Sequence, residues 1–84
     1  MDMAPQEVGK RIQAARERKR WNQSDLARAL GKARQHISLI EQGKQFPAVP
    51  LLRDIAMVLG VSTDYLLGLT EDEDEDAHAA YAAR

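Results

Sequence analysis

The chain contains no cysteine among its 84 residues. This absence excludes a disulfide framework, a thiolate metal site and a cysteine nucleophile. Aromatic residues are scarce, with one Trp, one Phe and two Tyr, so we expect a core that is mostly aliphatic. The apolar runs are too short to cross a bilayer, and the first residues lack the apolar region of a signal peptide. These absences favour a soluble, cytoplasmic protein without membrane contact.

The net charge of -1 conceals two segments of opposite charge. Residues 1–69 contain eleven Lys or Arg and seven Asp or Glu, a net charge of +4. Residues 70–84 contain six acidic residues, the unbroken run 71–76, and one Arg, a net charge of -5. We therefore divide the chain into a domain of residues 1–69 and an acidic, then Ala-rich tail of residues 70–84. The basic domain suits an anionic partner such as nucleic acid.

The apolar spacing is helical throughout, without the alternation of a strand, and predicts an all-α domain of five helices. Capping residues, prolines and glycines mark where the helices begin and end. The expected limits are Pro5 and the basic run 18–20 for the first helix, Asn22 and Gly31 for the second, Ala33 and Gln42 for the third, Pro50 and Gly60 for the fourth, and Ser62 and Gly68 for the fifth.

Residues 23–44 predict two short amphipathic helices that are joined by a tight turn. If Ile37 and Ile40 face the core, a step of 100° per residue places a polar set on the opposite half of the second helix, with Arg34 at its flank. This set consists of Gln35, Ser38, Leu39 and Gln42. The arrangement is typical of a helix-turn-helix motif, whose second helix enters the major groove of DNA.

Arg and Gln are residue types that form paired hydrogen bonds with guanine and adenine edges in the major groove. An ordinary solvated helix face carries the same residue types, and this simpler interpretation remains open on those residues alone. Leu39 adds weak support for a DNA contact, because an apolar side chain opposite the core suits a thymine methyl group.

From Val8 to Leu67 the chain resembles the Cro/cI-type helix-turn-helix family, the lambdoid-repressor-like DNA-binding domains. The resemblance depends on several motifs in a fixed order. They are Ile12 with Arg16, the run Trp21–Ala27, Leu30 with Gly31, the run His36–Lys44, Pro47, and the closing run Leu59–Leu67. The resemblance implies a compact five-helix domain that binds double-stranded DNA as a homodimer.

The resemblance also implies roles for individual residues. Arg34, Gln35 and Leu39 match the base-reading positions, and Ser38 and Gln42 are secondary candidates. Gln23 and Lys44 match phosphate contacts, with Gln23 also supporting the first residue of the third helix. Arg28 and Lys32 are further phosphate candidates because of their positions.

Two further pairs follow from the resemblance. Arg16 and Glu41 match a structural ion pair between the first and third helices, which suits a Glu on the core side of its helix. Thr63 and Tyr65 match positions of the dimer interface, although Tyr65 fits an ordinary core position equally well.

The chain departs from the family pattern at four positions. Arg20 replaces a frequent Gly at the end of the first helix, so a non-Gly residue with positive φ is expected there. Ala33 replaces the usual Ser or Thr cap of the third helix, and we expect the missing cap to lower the local stability by about 1 kcal/mol. Lys32 replaces a usually apolar residue and offers a phosphate contact instead. Leu39 replaces a usually polar residue, so base recognition at that position is expected to be apolar.

We therefore expect a sequence-specific transcriptional regulator, a repressor that binds a palindromic operator as a dimer. The alternative is an antitoxin or accessory module whose tail binds a partner protein, with DNA binding for autoregulation. The tail is expected to be either a disordered segment or a short sixth helix. No catalytic, cofactor-binding or metal-ligand motif is present, so we expect no enzyme activity, cofactor or metal site.

Overall fold

A computed structural model describes residues 4–71. Over this range the chain forms the helices α1 Pro5–Arg18, α2 Gln23–Leu30, α3 Arg34–Glu41, α4 Val49–Leu59 and α5 Thr63–Leu66. The observed order and limits confirm the predicted all-α five-helix class. Of the tail, residues 70–84, only residues 70 and 71 are described, so the two alternatives for it lie outside the described residues.

The end of α1 contains a backbone conformation that is uncommon for a side chain larger than glycine. Arg20 has φ of 62°, and the next amide, that of Trp21, donates to the Arg16 carbonyl oxygen at 3.2 Å. This is the positive-φ closure that the missing glycine predicted. It reverses the chain so that Trp21 packs against the core as a partly buried side chain.

The helix α2 is capped at both ends by signals that are visible in the sequence. Asn22 and Asp25 form a reciprocal capping box at its start. Gly31 ends it with φ of 66°, a conformation that favours glycine because it has no Cβ. By contrast, the residue that precedes α3, Ala33, provides no side-chain cap, as the sequence predicts.

The core is a single, mostly aliphatic cluster to which every helix contributes. Its most completely buried large side chains are Val8, Ile12, Leu26, Ile37, Ile40, Ile55 and Leu66. Because α1 and α4 both pack against other helices of this cluster, they hold the shorter helices α2 and α3 in a fixed relative position. Within residues 4–71, no helix has the length and hydropathy of a membrane span.

The helices α1 and α3 approach closely at two glycines. A Cβ atom at Gly9 would overlap the backbone carbonyl oxygens of Ile40 and Glu41. A Cβ atom at Gly43 would lie 2.7 Å from the Gln6 Cα atom, and Gly43 also has φ of 78°. The C-terminal end of α3 is therefore held against α1 through backbone contacts that leave no space for a side chain.

Candidate nucleic-acid interface

The second and third helices are joined by only three residues, Gly31 to Ala33. The Lys32 amide donates to the Ala27 carbonyl oxygen at 2.9 Å, which closes the end of α2 and directs the chain into α3. The two helices also make the most extensive helix–helix contact of the domain. This short, well-closed turn fixes the orientation of α3 relative to α2.

The helix α3 has one buried and one exposed face, as its sequence pattern predicts. Ile37 and Ile40 are each 1% exposed and belong to the core. Arg34, Gln35 and Gln42 are exposed on the other side. Leu39 is 39% exposed, so an apolar surface lies within the polar face.

Two of the candidate base-reading side chains contact each other. The Gln42 Nε2 atom donates to the Ser38 Oγ atom at 2.7 Å, a pairing that the four-residue spacing allows on one helix face. Ser38 is half-buried. The sequence pattern predicted Ser38 and Gln42 as two separate candidates, whereas in the structure they form one hydrogen-bonded unit.

A buried ion pair joins α1 to the end of α3. Arg16 Nε lies 2.7 Å from Glu41 Oε2, and Arg16 Nη2 lies 3.0 Å from Glu41 Oε1. The third nitrogen, Nη1, donates to the Trp21 carbonyl oxygen at 2.7 Å. The hydrogen bonds with Glu41 raise the pKa of Arg16, against the opposing effect of desolvation. The geometry contains the structural pair that the family resemblance implies.

The Glu41 carboxylate also contacts the start of α2. Gln23 Nε2 donates to Glu41 Oε1 at 3.1 Å, and Gln23 Oε1 accepts from Arg34 Nη1 at 3.5 Å. Gln23 therefore lies between the buried carboxylate and the first residue of α3. The contact with Arg34 agrees with the supporting role that the resemblance gives to Gln23, whereas the contact with Glu41 was not predicted.

The candidate phosphate contacts border the exposed face of α3. Lys32 precedes the helix, Lys44 follows it, and both side chains are exposed. Arg28 is also exposed, and its Nη1 atom lies 3.4 Å from Asp25 Oδ1. The candidates therefore provide positive charge before and after α3, with that of Arg28 partly balanced by Asp25.

The two dimer candidates have different environments. Tyr65 is 6% exposed and belongs to the core, and the Arg11 guanidinium carbon lies 4.9 Å from the centre of its ring. Thr63 is half-buried at the start of α5. Tyr65 therefore packs as a core residue. Thr63 exposes more of its surface to a possible contact with a second copy.

Comparison with known proteins identifies the class. The helix-turn-helix family model matches residues 12–66. The chain is 38% identical to the HTH-type transcriptional regulator YazB of Bacillus subtilis (strain 168) over 58 residues, which are 69% of this chain and 84% of YazB. The chain belongs to this family, as a Cro/cI-type helix-turn-helix DNA-binding domain. Membership of this non-enzymatic family also confirms that the chain is not an enzyme.

Solved structures support the same assignment. The master regulator for biofilm formation SinR, solved in complex with DNA, superposes with a TM-score of 0.68 at 36% identity, and the match covers 71% of this chain and 97% of the solved SinR chain. The hypothetical transcription factor NHTF from Neisseria superposes with a TM-score of 0.72 at 28% identity, and the match covers 76% of this chain and 74% of the solved NHTF chain. The five-helix arrangement is thus shared with regulators from different bacteria.

Proposed function

We propose that the chain is a sequence-specific transcriptional repressor that places α3 in the major groove of double-stranded DNA. The main support is the two-sided character of α3, which buries Ile37 and Ile40 and exposes Arg34 and Gln35. The similarity to SinR, which has been solved in complex with DNA, supports the same proposal. The regulator name of YazB agrees with a role in transcription.

In this proposal, Arg34 and Gln35 read base edges from the first turn of α3. The Arg fork matches the acceptors of guanine, and the Gln amide matches the donor and acceptor of adenine. Leu39 lies one turn further along and contacts a thymine methyl group. The hydrogen-bonded unit of Ser38 and Gln42 contributes as a pair at the C-terminal end of the helix.

The phosphate contacts fix the position of α3 in the groove. Lys32 and Lys44 are exposed on either side of α3 along the chain, so they can hold the backbone on both sides of the base-reading residues. Gln23 has a second Nε2 hydrogen beyond the one it donates to Glu41, and that hydrogen is available for a phosphate oxygen. Arg28 joins them by exchanging its contact with Asp25 for a phosphate.

We further propose that two copies bind a palindromic operator. In a symmetric dimer the two recognition helices enter successive major grooves about 34 Å apart. Thr63 and the surface around α5 are the proposed contact between the copies, while Tyr65 supports this surface from the core. Analytical ultracentrifugation of the protein with and without its DNA site measures the stoichiometry, and one protein per site contradicts the dimer.

Selection of bound sequences from a random DNA pool tests the central proposal. We expect the selected sequences to share two inverted half-sites with centres about 10 base pairs apart. The variant Arg34→Ala with Gln35→Ala is expected to lose this enrichment. Arg53→Ala, which removes an exposed arginine of α4, is the matched control and keeps it. An unenriched pool with the wild-type protein contradicts the proposal.

The alternative is a module that binds a partner protein through its tail and uses DNA binding for autoregulation. It is supported by the acidic run that begins at Glu71. The Glu71 Oε2 atom lies 3.0 Å from Arg11 Nη2 of the domain. Deleting residues 72–84 keeps this contact and removes most of the run. Loss of a co-purifying protein with unchanged DNA affinity supports the alternative, and unchanged co-purification contradicts it.

A further inference from the structure

The orientation of the Gln23 side-chain amide is determined by the charges on its two sides. An ionised carboxylate only accepts hydrogen bonds, and a guanidinium only donates them. The amide NH2 group must therefore face Glu41, and the amide oxygen must face Arg34, as the distances of 3.1 and 3.5 Å show. A reversed amide would place oxygen against oxygen at Glu41 and nitrogen against nitrogen at Arg34.

The Glu41 carboxylate is a fixed reference point for this amide. The Glu41 side chain is 3% exposed, and Arg16 holds both of its oxygens. The backbone of Glu41 is in addition packed against Gly9 of α1. Because both the backbone and the carboxylate of Glu41 are fixed by contacts with α1, the position of the carboxylate determines the orientation of the Gln23 amide.

The hydrogen bond between Gln23 and Arg34 uses only one of the guanidinium donors, and its length indicates a weak contact. At 3.5 Å it lies at the outer limit of a hydrogen bond. Arg34 is exposed, and its guanidinium makes no other hydrogen bond with residues 4–71. Four of its five N–H donors thus remain for a base edge, while the Gln23 oxygen determines which side of the fork faces outward.

We propose that Glu41 is a positioning residue for base readout, which acts on Arg34 through the Gln23 amide. The buried ion pair then contributes to DNA specificity as well as joining α1 to the end of α3. The proposal rests on the proposed function, in which Arg34 reads a base. It also gives the Gln23 amide one orientation for both of its roles, because the NH2 group that faces Glu41 retains a second hydrogen for a phosphate oxygen.

Two variants break this connection at different points. The first replaces both members of the ion pair by apolar residues, Arg16→Met with Glu41→Met, because such exchanges of buried pairs are often neutral or stabilising. The second, Gln23→Met, leaves the ion pair in place. Gln13→Met is the matched control, because Gln13 Nε2 donates to Glu17 Oε2 at 3.1 Å on an exposed part of α1. Thermal melting verifies that each variant is folded.

The measurement is the ratio of affinities for the selected site and for the same site changed at the Arg34 base pair. We expect a ratio of about 5- to 150-fold for the wild type and for Gln13→Met. It falls to about 3-fold or less both in the ion-pair variant and in Gln23→Met. Combining the two changes lowers the ratio no further, because both act through one amide.

A purely structural role of the ion pair predicts a different pattern. Discrimination that persists in folded Gln23→Met overturns the proposal, even if the ion-pair variant does not fold. Discrimination that persists in the folded ion-pair variant, or losses that add in the combination, overturn it as well. A wild-type protein that selects no sequence overturns the proposed function instead, so the two failures are distinguishable.

Discussion

Asn22 and Asp25 satisfy each other's backbone amides at the start of α2. The Asp25 amide donates to Asn22 Oδ1, and the Asn22 amide donates to Asp25 Oδ2, each at 2.8 Å. The pair therefore forms a complete capping box although neither residue is the Ser, Thr, Glu or Gln that usually forms one. Because Gln23 is the next residue, this cap also fixes the start of the connection from Glu41 to Arg34.

Asn22→Ala is expected to destabilise the protein by about 1 kcal/mol, because the Asp25 amide loses its acceptor. Chemical denaturation measures this change in the free energy of unfolding. Asn22→Ser is the control and keeps most of the stability, since a serine hydroxyl accepts the same bond. Equal stability of the alanine and serine variants would contradict the capping role.

Gly9→Ala tests the close approach of α1 and α3. An alanine inside a helix normally stabilises it by about 1 kcal/mol relative to glycine. Here the new methyl group would overlap the carbonyl oxygens of Ile40 and Glu41, so we expect a net loss of about 1–3 kcal/mol. The melting temperature gives the sign directly, and a higher Tm for the alanine variant contradicts the close approach.

The local features of this fold were predictable from the sequence, whereas two contacts between helices were not. The Asn22 cap and the buried side of α3 depend on neighbouring residues, whereas the positive φ of Arg20 was implied by the family resemblance. All three are confirmed. The Glu41 contact with Gln23 joins residues 18 positions apart. The Gly9 approach likewise depends on how α1 and α3 pack.

The same distinction applies to the candidate interface. The helical period was sufficient to separate Ile37 and Ile40 from the exposed side of α3. It did not indicate that Ser38 and Gln42 bond to each other, because their side-chain conformations depend on the local surroundings. The glycine inside α1 was a partial signal for a close backbone approach, but the sequence does not say which element approaches it.

Arg20→Gly is expected to stabilise the protein by roughly 1 kcal/mol, because glycine adopts φ of 62° without the cost that a Cβ imposes. Lys19→Gly is the matched control. Lys19 has φ of -81°, where glycine relieves no strain and only adds freedom to the unfolded chain. We expect this control to be less stable than the wild type, and a similar gain in both variants would contradict the strain at Arg20.

Arg34→Ala is expected to weaken binding to the selected site by about 1–3 kcal/mol and to relax the preference at one base pair. The reason is the loss of a forked hydrogen bond to one base edge. Fluorescence anisotropy with the selected site and with single-base variants measures both effects, with Arg53→Ala as the control. An equal loss of affinity for the selected site and for random DNA would indicate that Arg34 contacts only the DNA backbone.

Lys44→Ala is expected to weaken binding to all DNA sequences alike, because a phosphate contact carries no base information. Removing one phosphate contact releases about one fewer counterion, so the slope of log affinity against log salt concentration decreases by about one unit. Titrations at several salt concentrations measure this slope. Lys10→Ala, an exposed lysine of α1, is the control and leaves the slope unchanged. An unchanged slope in Lys44→Ala would remove Lys44 from the phosphate contacts, whereas a loss confined to the selected site would assign it to base readout.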